Sequence, residues 1–275
     1  MKQRIITALV AIPVALALIC WGGWPYTLGV AILALVGWQE FRRMLAAKNY
    51  QVYYASSGLA VICMIAAAAV NKYQYLVPIL TLSIIGTMLE ALYNYNNGKW
   101  ATTVAMSSFG VLYVGLLFSH FIFLRALPGN DVAFFSFYNM HFGEAVLWVV
   151  LCGTWASDTF AYFFGVTFGK HKLIPAVSPK KSVEGAVAGF VGTILVIMAL
   201  GTAWMGFPPE KIMGLAIIVA FVAPLGDLVE SILKRQCGIK DSGNFFPGHG
   251  GVLDRCDSLL FAVPLAYYYI TLVLF

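Results

Sequence analysis

The sequence predicts an all-α, polytopic membrane protein of about nine transmembrane helices, N-terminus cytoplasmic and C-terminus outside. Three observations lead there. Of 275 residues, 61% are hydrophobic and only 11% charged, with a mean hydropathy of +0.84. A soluble domain is nearer a quarter charged, so the main solvent of this chain is lipid. Apolar runs of about 20 residues recur along it, the length a helix needs to cross a bilayer. Finally, the basic residues are distributed asymmetrically between alternate connections.

Taken in order, the predicted spans are roughly 5–21, 24–39, 53–70, 74–93, 101–125, 144–168, 184–206, 212–233 and 256–275. The first has a weakly basic start but no small-residue cleavage site, so it is expected to remain as a membrane helix. Gly22-Gly23 and Pro25 make its link to the second a tight hairpin. With the N-terminus inside, 14 of the 17 Lys and Arg fall on the cytoplasmic side. Lys72, Arg125 and Lys211 are the exceptions, and one span more or fewer would break the asymmetry.

The net charge of +5 does not point to nucleic acid, because its basic residues sit at helix ends and in short loops. The five cysteines are scattered, without a CxxC pair or metal-ligand spacing, and are expected to pack. No repeat or low-complexity tract divides the chain. Residues 1–275 therefore form a single integral membrane domain, with N-terminal helices over 1–143 and catalytic helices and cytoplasmic loops over 144–275.

Two cytoplasmic segments concentrate charge, glycine and proline. The first runs from Asp158 to Gly185. Asp158 lies inside an apolar run, where a carboxylate is costly unless paired, metal-bound or facing water. Tyr162 follows one turn on, then Gly165 and Gly169, small residues that let a helix or ligand come close. The loop adds Lys170, Lys172, Lys180 and Lys181 with the hydroxyls of Ser178 and Ser182. A plainer reading makes the lysines an anchor on anionic lipid and Ser182 a helix cap.

The second segment runs from Asp227 to Asp257. Glu230 and Ser231 follow Asp227 at spacings of three and four and so share its helix face. Such oxygen donors suit magnesium, which takes one or two carboxylates plus substrate phosphates and water. Asp254 and Asp257, again three apart, open the ninth helix, and the loop is short enough to bring Asp254 back towards Asp227. Their plainer reading is as helix-start acids favoured by the dipole, and His249 alone reads as a loop histidine. Between the two helices lies Pro247-Gly248-His249-Gly250-Gly251, whose glycines allow unusual turns and expose amides to phosphate. Lys234, Arg235, Lys240 and Arg255 surround it. Carboxylates for a metal, cations for charge and glycines for close approach together describe a phosphate site where one substrate arrives from water and one from lipid.

This segment resembles the signature of the bacterial-type phosphatidate cytidylyltransferases. The matching positions are Ser231, Lys234, Arg235, Lys240, Asp241, Pro247, His249, Gly250, Gly251, Asp254, Arg255 and Asp257. Cys256 departs from the aliphatic residue or threonine usual there. The upstream string resembles the family too, from Asp158 through Ser178-Pro179-Lys180-Lys181-Ser182 to Glu184-Gly185, and Glu40-Phe41 is a fainter echo.

The resemblance implies a multi-helix membrane enzyme of a plasma membrane, the inner membrane in a Gram-negative cell. It implies CTP and phosphatidate as substrates, CDP-diacylglycerol and pyrophosphate as products, and a homodimer as the assembled form. It implies magnesium held largely by Asp227 and Asp254, with Asp257 and Glu230 in support; a monovalent cation beside it is compatible with the sequence. Lys180, Lys181, Lys234, Arg235, Lys240 and Arg255 are then candidate phosphate contacts, and Asp158, Ser178, Ser182, Ser231 and His249 further site residues. Two alternatives are a CTP-dependent lipid kinase, which would release CDP, and a secondary transporter. The transporter is disfavoured by the lack of an inverted repeat and by polar residues crowded on one membrane face.

Overall fold

A computed structural model describes residues 2–95, 98–134 and 138–274. The last predicted span ends on Phe275, which lies outside the described residues. Those described are nearly all helical, in nine stretches: α1 (Lys2–Trp21), α2 (Gly23–Ala46), α3 (Tyr54–Ala69), α4 (Tyr73–Tyr93), α5 (Trp100–Arg125), α6 (Phe142–Phe168), α7 (Val183–Trp204), α8 (Pro209–Gln236) and α9 (Leu253–Val273). Six of them, α4 to α9, are long and apolar enough to cross a bilayer, which makes this a multi-pass membrane protein. Their abundant exposed Leu, Ile, Val and Phe side chains are what a lipid-facing surface requires. The hairpin between α1 and α2 turns at Gly22 and Gly23, both at positive φ (65° and 52°), which glycine adopts without strain.

The chain forms two compact units, residues 1–123 with 234–255 and residues 124–233 with 256–275. In the first, the core centres on Trp38 and Phe41 of α2 with Tyr113 and Phe118 of α5, all nearly fully buried. Phe41 meets Phe109 edge-on with ring centroids 5.6 Å apart. Helix α5 widens to a π-helical stretch at Val111–Leu116. Just before and within that widening, glycines allow tight contact. A Cβ on Gly110 would sit 2.7 Å from Phe41 and Trp38, and one on Gly115 would sit 3.2 Å from the Val61 backbone.

In the second unit, α6 and α7 run backbone against backbone. A Cβ on Gly185 would come within 2.7 Å of the Ala161 carbonyl oxygen, and one on Gly189 within 2.8 Å of that of Ser157. Thr193 Oγ1 donates to the Gly153 carbonyl at 3.2 Å. Small residues replace the hydrophobic drive that lipid cannot supply between helices; at Gly165 too, an added Cβ would lie 3.7 Å from the Gly185 Cα. Helices α8 and α9 meet equally closely where Gly226 lies on the backbone of Asp257 and Ser258. Arg125 and Glu144 form a 2.9 Å ion pair, with side chains 8% and 1% exposed.

Two antiparallel hairpins complete the second unit: β1 (Val132–Phe134) with β2 (Tyr138–Met140), and β3 (Lys172–Ile174) with β4 (Ser178–Ser182). The second hairpin is tied to the start of α7. Glu184 accepts from the backbone N–H groups of Lys170 and His171, and its Oε1 lies 2.6 Å from His171 Nδ1.

Candidate active site

The site residues fall into two clusters, one in each unit. The cluster in the second unit begins on β4. Lys180 is exposed there and Lys181 half-buried, burial deepening towards Ser182. Lys181 Nζ donates to Asp227 Oδ2 at 2.6 Å, with the two side chains 30% and 28% exposed. On α8, Ser231 Oγ donates to Asp227 Oδ1 at 3.2 Å, the contact that the i, i+4 spacing leads one to expect. Glu230 is fully buried, whereas Asp227 is only half-buried. Pro224 lies inside α8 one turn before Asp227; lacking an N–H, it frees a backbone carbonyl from the helix ladder.

Ser182 is buried and caps α7, its Oγ accepting from the Gly185 N–H at 3.2 Å. The plainer reading of that residue is therefore met by the geometry. Ser178 is half-buried at the start of β4, Asp158 lies exposed on α6, and Asp257 is half-buried one turn into α9. Asp257 Oδ1 accepts from the Ser258 N–H.

The cluster in the first unit is more enclosed. Lys234 Nζ donates to Asp254 Oδ1 at 2.6 Å, and here the side chains are 11% and 6% exposed. Asp254 Oδ2 accepts three further bonds, from the Ser242 and Gly251 N–H groups at 2.8 Å and from Ser242 Oγ at 2.9 Å. The glycine turn wraps this carboxylate. Gly248 and Gly250 take φ of 80° and 87°, a region costly for any residue with a Cβ. A Cβ on Gly250 would also lie 2.6 Å from Asp254 Oδ2. Arg255 Nε donates to the His249 carbonyl at 2.8 Å, so this arginine braces the turn. The His249 Nδ1 atom is buried without a hydrogen-bond partner among the described residues. Arg235 and Lys240 are exposed, with Arg235 Nη1 donating to the Ile239 carbonyl at 3.3 Å.

Two participants escaped the residue-by-residue reading. Glu40, on α2 and 4% exposed, accepts from the Val252 and Leu253 N–H groups, each at 3.0 Å. Ser242 joins Glu40 to Asp254. Glu40 had only the faint Glu40-Phe41 echo to single it out; no local spacing signals a partner 212 residues away.

The donors suit a hard cation that retains other ligands. No group of three or more His, Cys, Asp or Glu is gathered among the described residues in a metal-binding arrangement. Magnesium needs only one or two protein carboxylates when phosphates and water complete its shell. Asp227 and Asp254 each pair with a lysine ammonium at 2.6 Å, so a cation bound at either carboxylate would share it with, or displace, that lysine.

Fold and site together define a multi-pass membrane protein with lysine-paired carboxylates and a glycine turn set into its helices. Residues 2–273 match the Cytidylyltransferase family, and the chain belongs to that family. Among its relatives, the phosphatidate cytidylyltransferase of Synechocystis sp. is 33% identical over 99% of this chain and 97% of its own length. That of Bacillus subtilis is 30% identical over 99% and 98%, and that of Thermotoga maritima 31% identical over 97% and 95%.

Proposed function

We propose that this protein is a phosphatidate cytidylyltransferase, transferring CMP from CTP to phosphatidate to give CDP-diacylglycerol and pyrophosphate. The observation that carries the reading is a match along nearly the whole chain to enzymes named for that activity.

Phosphatidate brings its own anionic oxygen, so attack on the α-phosphorus of CTP needs no strong general base. A P–O bond forms to the lipid phosphate, the α–β anhydride bond breaks, and pyrophosphate leaves with the electron pair. What the protein contributes is alignment and neutralisation of charge. Lys180, Lys181, Lys234, Arg235, Lys240 and Arg255 supply cations for the phosphates, and the amides of Gly250 and Gly251 supply donors. Ser231 and Ser242 orient the two carboxylates, while Ser178, Asp158 and His249 are further substrate contacts. Asp227 and Asp254 would hold magnesium, supported by Glu230 and Asp257. Bound there, the ion would neutralise charge on the triphosphate and on departing pyrophosphate.

We further infer nine spans with the N-terminus inside, a site on the cytoplasmic face of the bacterial plasma membrane, and a homodimer. The basic-residue asymmetry supports the topology. The test of function uses purified protein in detergent with phosphatidate, magnesium and CTP labelled at the α-phosphate. Label entering organic-extractable lipid with matching pyrophosphate release is expected. Lipid labelled from γ-labelled CTP, with CDP released, would replace this reading by that of a lipid kinase.

A further inference from the structure

Glu40 is a buried carboxylate whose hydrogen bonds all go to groups that shape the phosphate-binding set. It lies on α2 one turn after Gly37, where a Cβ would approach the Leu253 side chain to 3.2 Å. That close approach brings the first turn of α9 onto α2. Both carboxylate oxygens are then used: Oε1 accepts from Val252 N–H, and Oε2 accepts from Leu253 N–H at 3.0 Å and Ser242 Oγ at 3.3 Å. The first amides of a helix have no partner inside it, and the helix dipole favours an anion there. Among the described residues, this buried carboxylate is thereby stabilised by backbone and hydroxyl donors.

The surrounding glycines fit the same account. A Cβ on Gly251 would come within 2.5 Å of both Glu40 oxygens, and one on Gly243 would strike the Glu40 carboxylate too. The turn is thus moulded around Glu40 on one side and Asp254 on the other. Ser242 lies between them, its hydroxyl 3.3 Å from Glu40 Oε2 and 2.9 Å from Asp254 Oδ2. That hydroxyl has one hydrogen to donate, so a change at Glu40 alters what Asp254 receives.

We propose that Glu40 is a positioning residue for the reaction, fixing the Asp254 carboxylate and the glycine turn through Ser242 and the first amides of α9. The proposal rests on the reading of Asp254 as a functional carboxylate. Groups that orient a functional carboxylate typically matter ten- to a hundred-fold.

The test compares full-length Glu40→Gln, Ser242→Ala and Asp254→Asn with the native protein in detergent. Three readouts are taken: kcat and KM for CTP, the magnesium concentration giving half-maximal rate, and the rise in melting temperature caused by magnesium with CTP. Glutamine keeps the shape of Glu40 but would set an NH2 against an amide N–H. In Glu40→Gln, kcat is expected to fall about 10- to 100-fold with a smaller change in KM. Half-maximal magnesium should rise several-fold, and the ligand-induced melting shift should shrink. Ser242→Ala leaves the helix amides capped and should move the same readouts in the same direction, less far. It therefore decides the matter if Glu40→Gln does not fold. Native magnesium dependence and melting shift in Ser242→Ala, together with a Glu40→Gln that is native-like or merely unstable, overturns the positioning role. Folded Asp254→Asn with normal turnover removes the underlying reading as well, and an inactive Asp254→Asn separates the two failures.

Discussion

Lys181–Asp227 and Lys234–Asp254 are the same chemical pair at the same 2.6 Å, placed in two different surroundings. The first joins a strand to a helix, is nearly a third exposed, and leaves Asp227 Oδ1 with one long bond from Ser231. The second is nearly buried, and its carboxylate accepts three more bonds from a turn built around it. A shared distance therefore does not imply a shared role. The open pair can exchange its partner for a phosphate or a metal with little rearrangement. In the closed pair, the carboxylate is also what holds its loop in shape.

The largest expected effects test whether both carboxylates serve the reaction. Asp227→Asn and Asp254→Asn should each lower kcat by about a thousand-fold or more, on the scale of losing one preorganised electrostatic group. Labelled-CTP turnover on purified, folded protein checks this. Near-normal turnover in either at moderate magnesium would end the assignment of metal to that acid.

Stability should then separate the pairs. Removing one partner of a buried ion pair strands the other, at a cost of about 3–5 kcal/mol. An exposed pair contributes about 0–1 kcal/mol. Lys234→Met should therefore lower the melting temperature markedly, while Lys181→Met should lose activity with almost no change in melting. Equal melting shifts in the two variants would erase the distinction drawn between them.

How far the sequence reveals these clusters depends on how local their contacts are. The Asp227–Ser231 contact follows from a helix spacing, and close glycine packing between α6 and α7 follows from Gly165 in an apolar run. The nine helical stretches among the described residues fall on the apolar runs, and for the six from α4 to α9 the bilayer dictates length and composition. The bracing of Asp254 by Ser242 was not legible, since Ser242 sits in an irregular loop where no period applies. Glu40 was hidden for a different reason. Its environment is assembled by α2 docking against α9, and an acid near Arg42 and Arg43 at a helix end reads as ordinary membrane-edge polarity. Burial distinguishes Glu230 from Asp227 although both share one helical face, a difference set by neighbouring elements and not by spacing.

Glycine substitutions sharpen the contrast on a smaller scale. Gly250→Ala forces a Cβ into a backbone at φ 87° and towards Asp254 Oδ2. The backbone strain costs about 1–2 kcal/mol, and because it falls on the functional carboxylate, activity should drop about ten-fold. Gly189→Ala instead presses on the Ser157 carbonyl in the α6–α7 contact. It should lower stability while the surviving folded enzyme turns over at the native rate. Melting curves combined with rate per folded molecule tell these outcomes apart.

The smallest effect concerns the two serines. Ser231→Ala deletes one neutral donor to a half-exposed carboxylate at 3.2 Å, where water can replace it. Such a bond contributes about 0.5–1.5 kcal/mol net, so a change in kcat of at most about ten-fold is expected. Ser242→Ala deletes a hydroxyl in a buried position, where no solvent is at hand and Asp254 and Glu40 would face each other across the gap. Its effect on rate and on magnesium requirement should be the larger of the two. If Ser231→Ala proves the more damaging under the same labelled-CTP assay, the open carboxylate depends more on preset geometry than the closed one, and the contrast between the pairs is inverted.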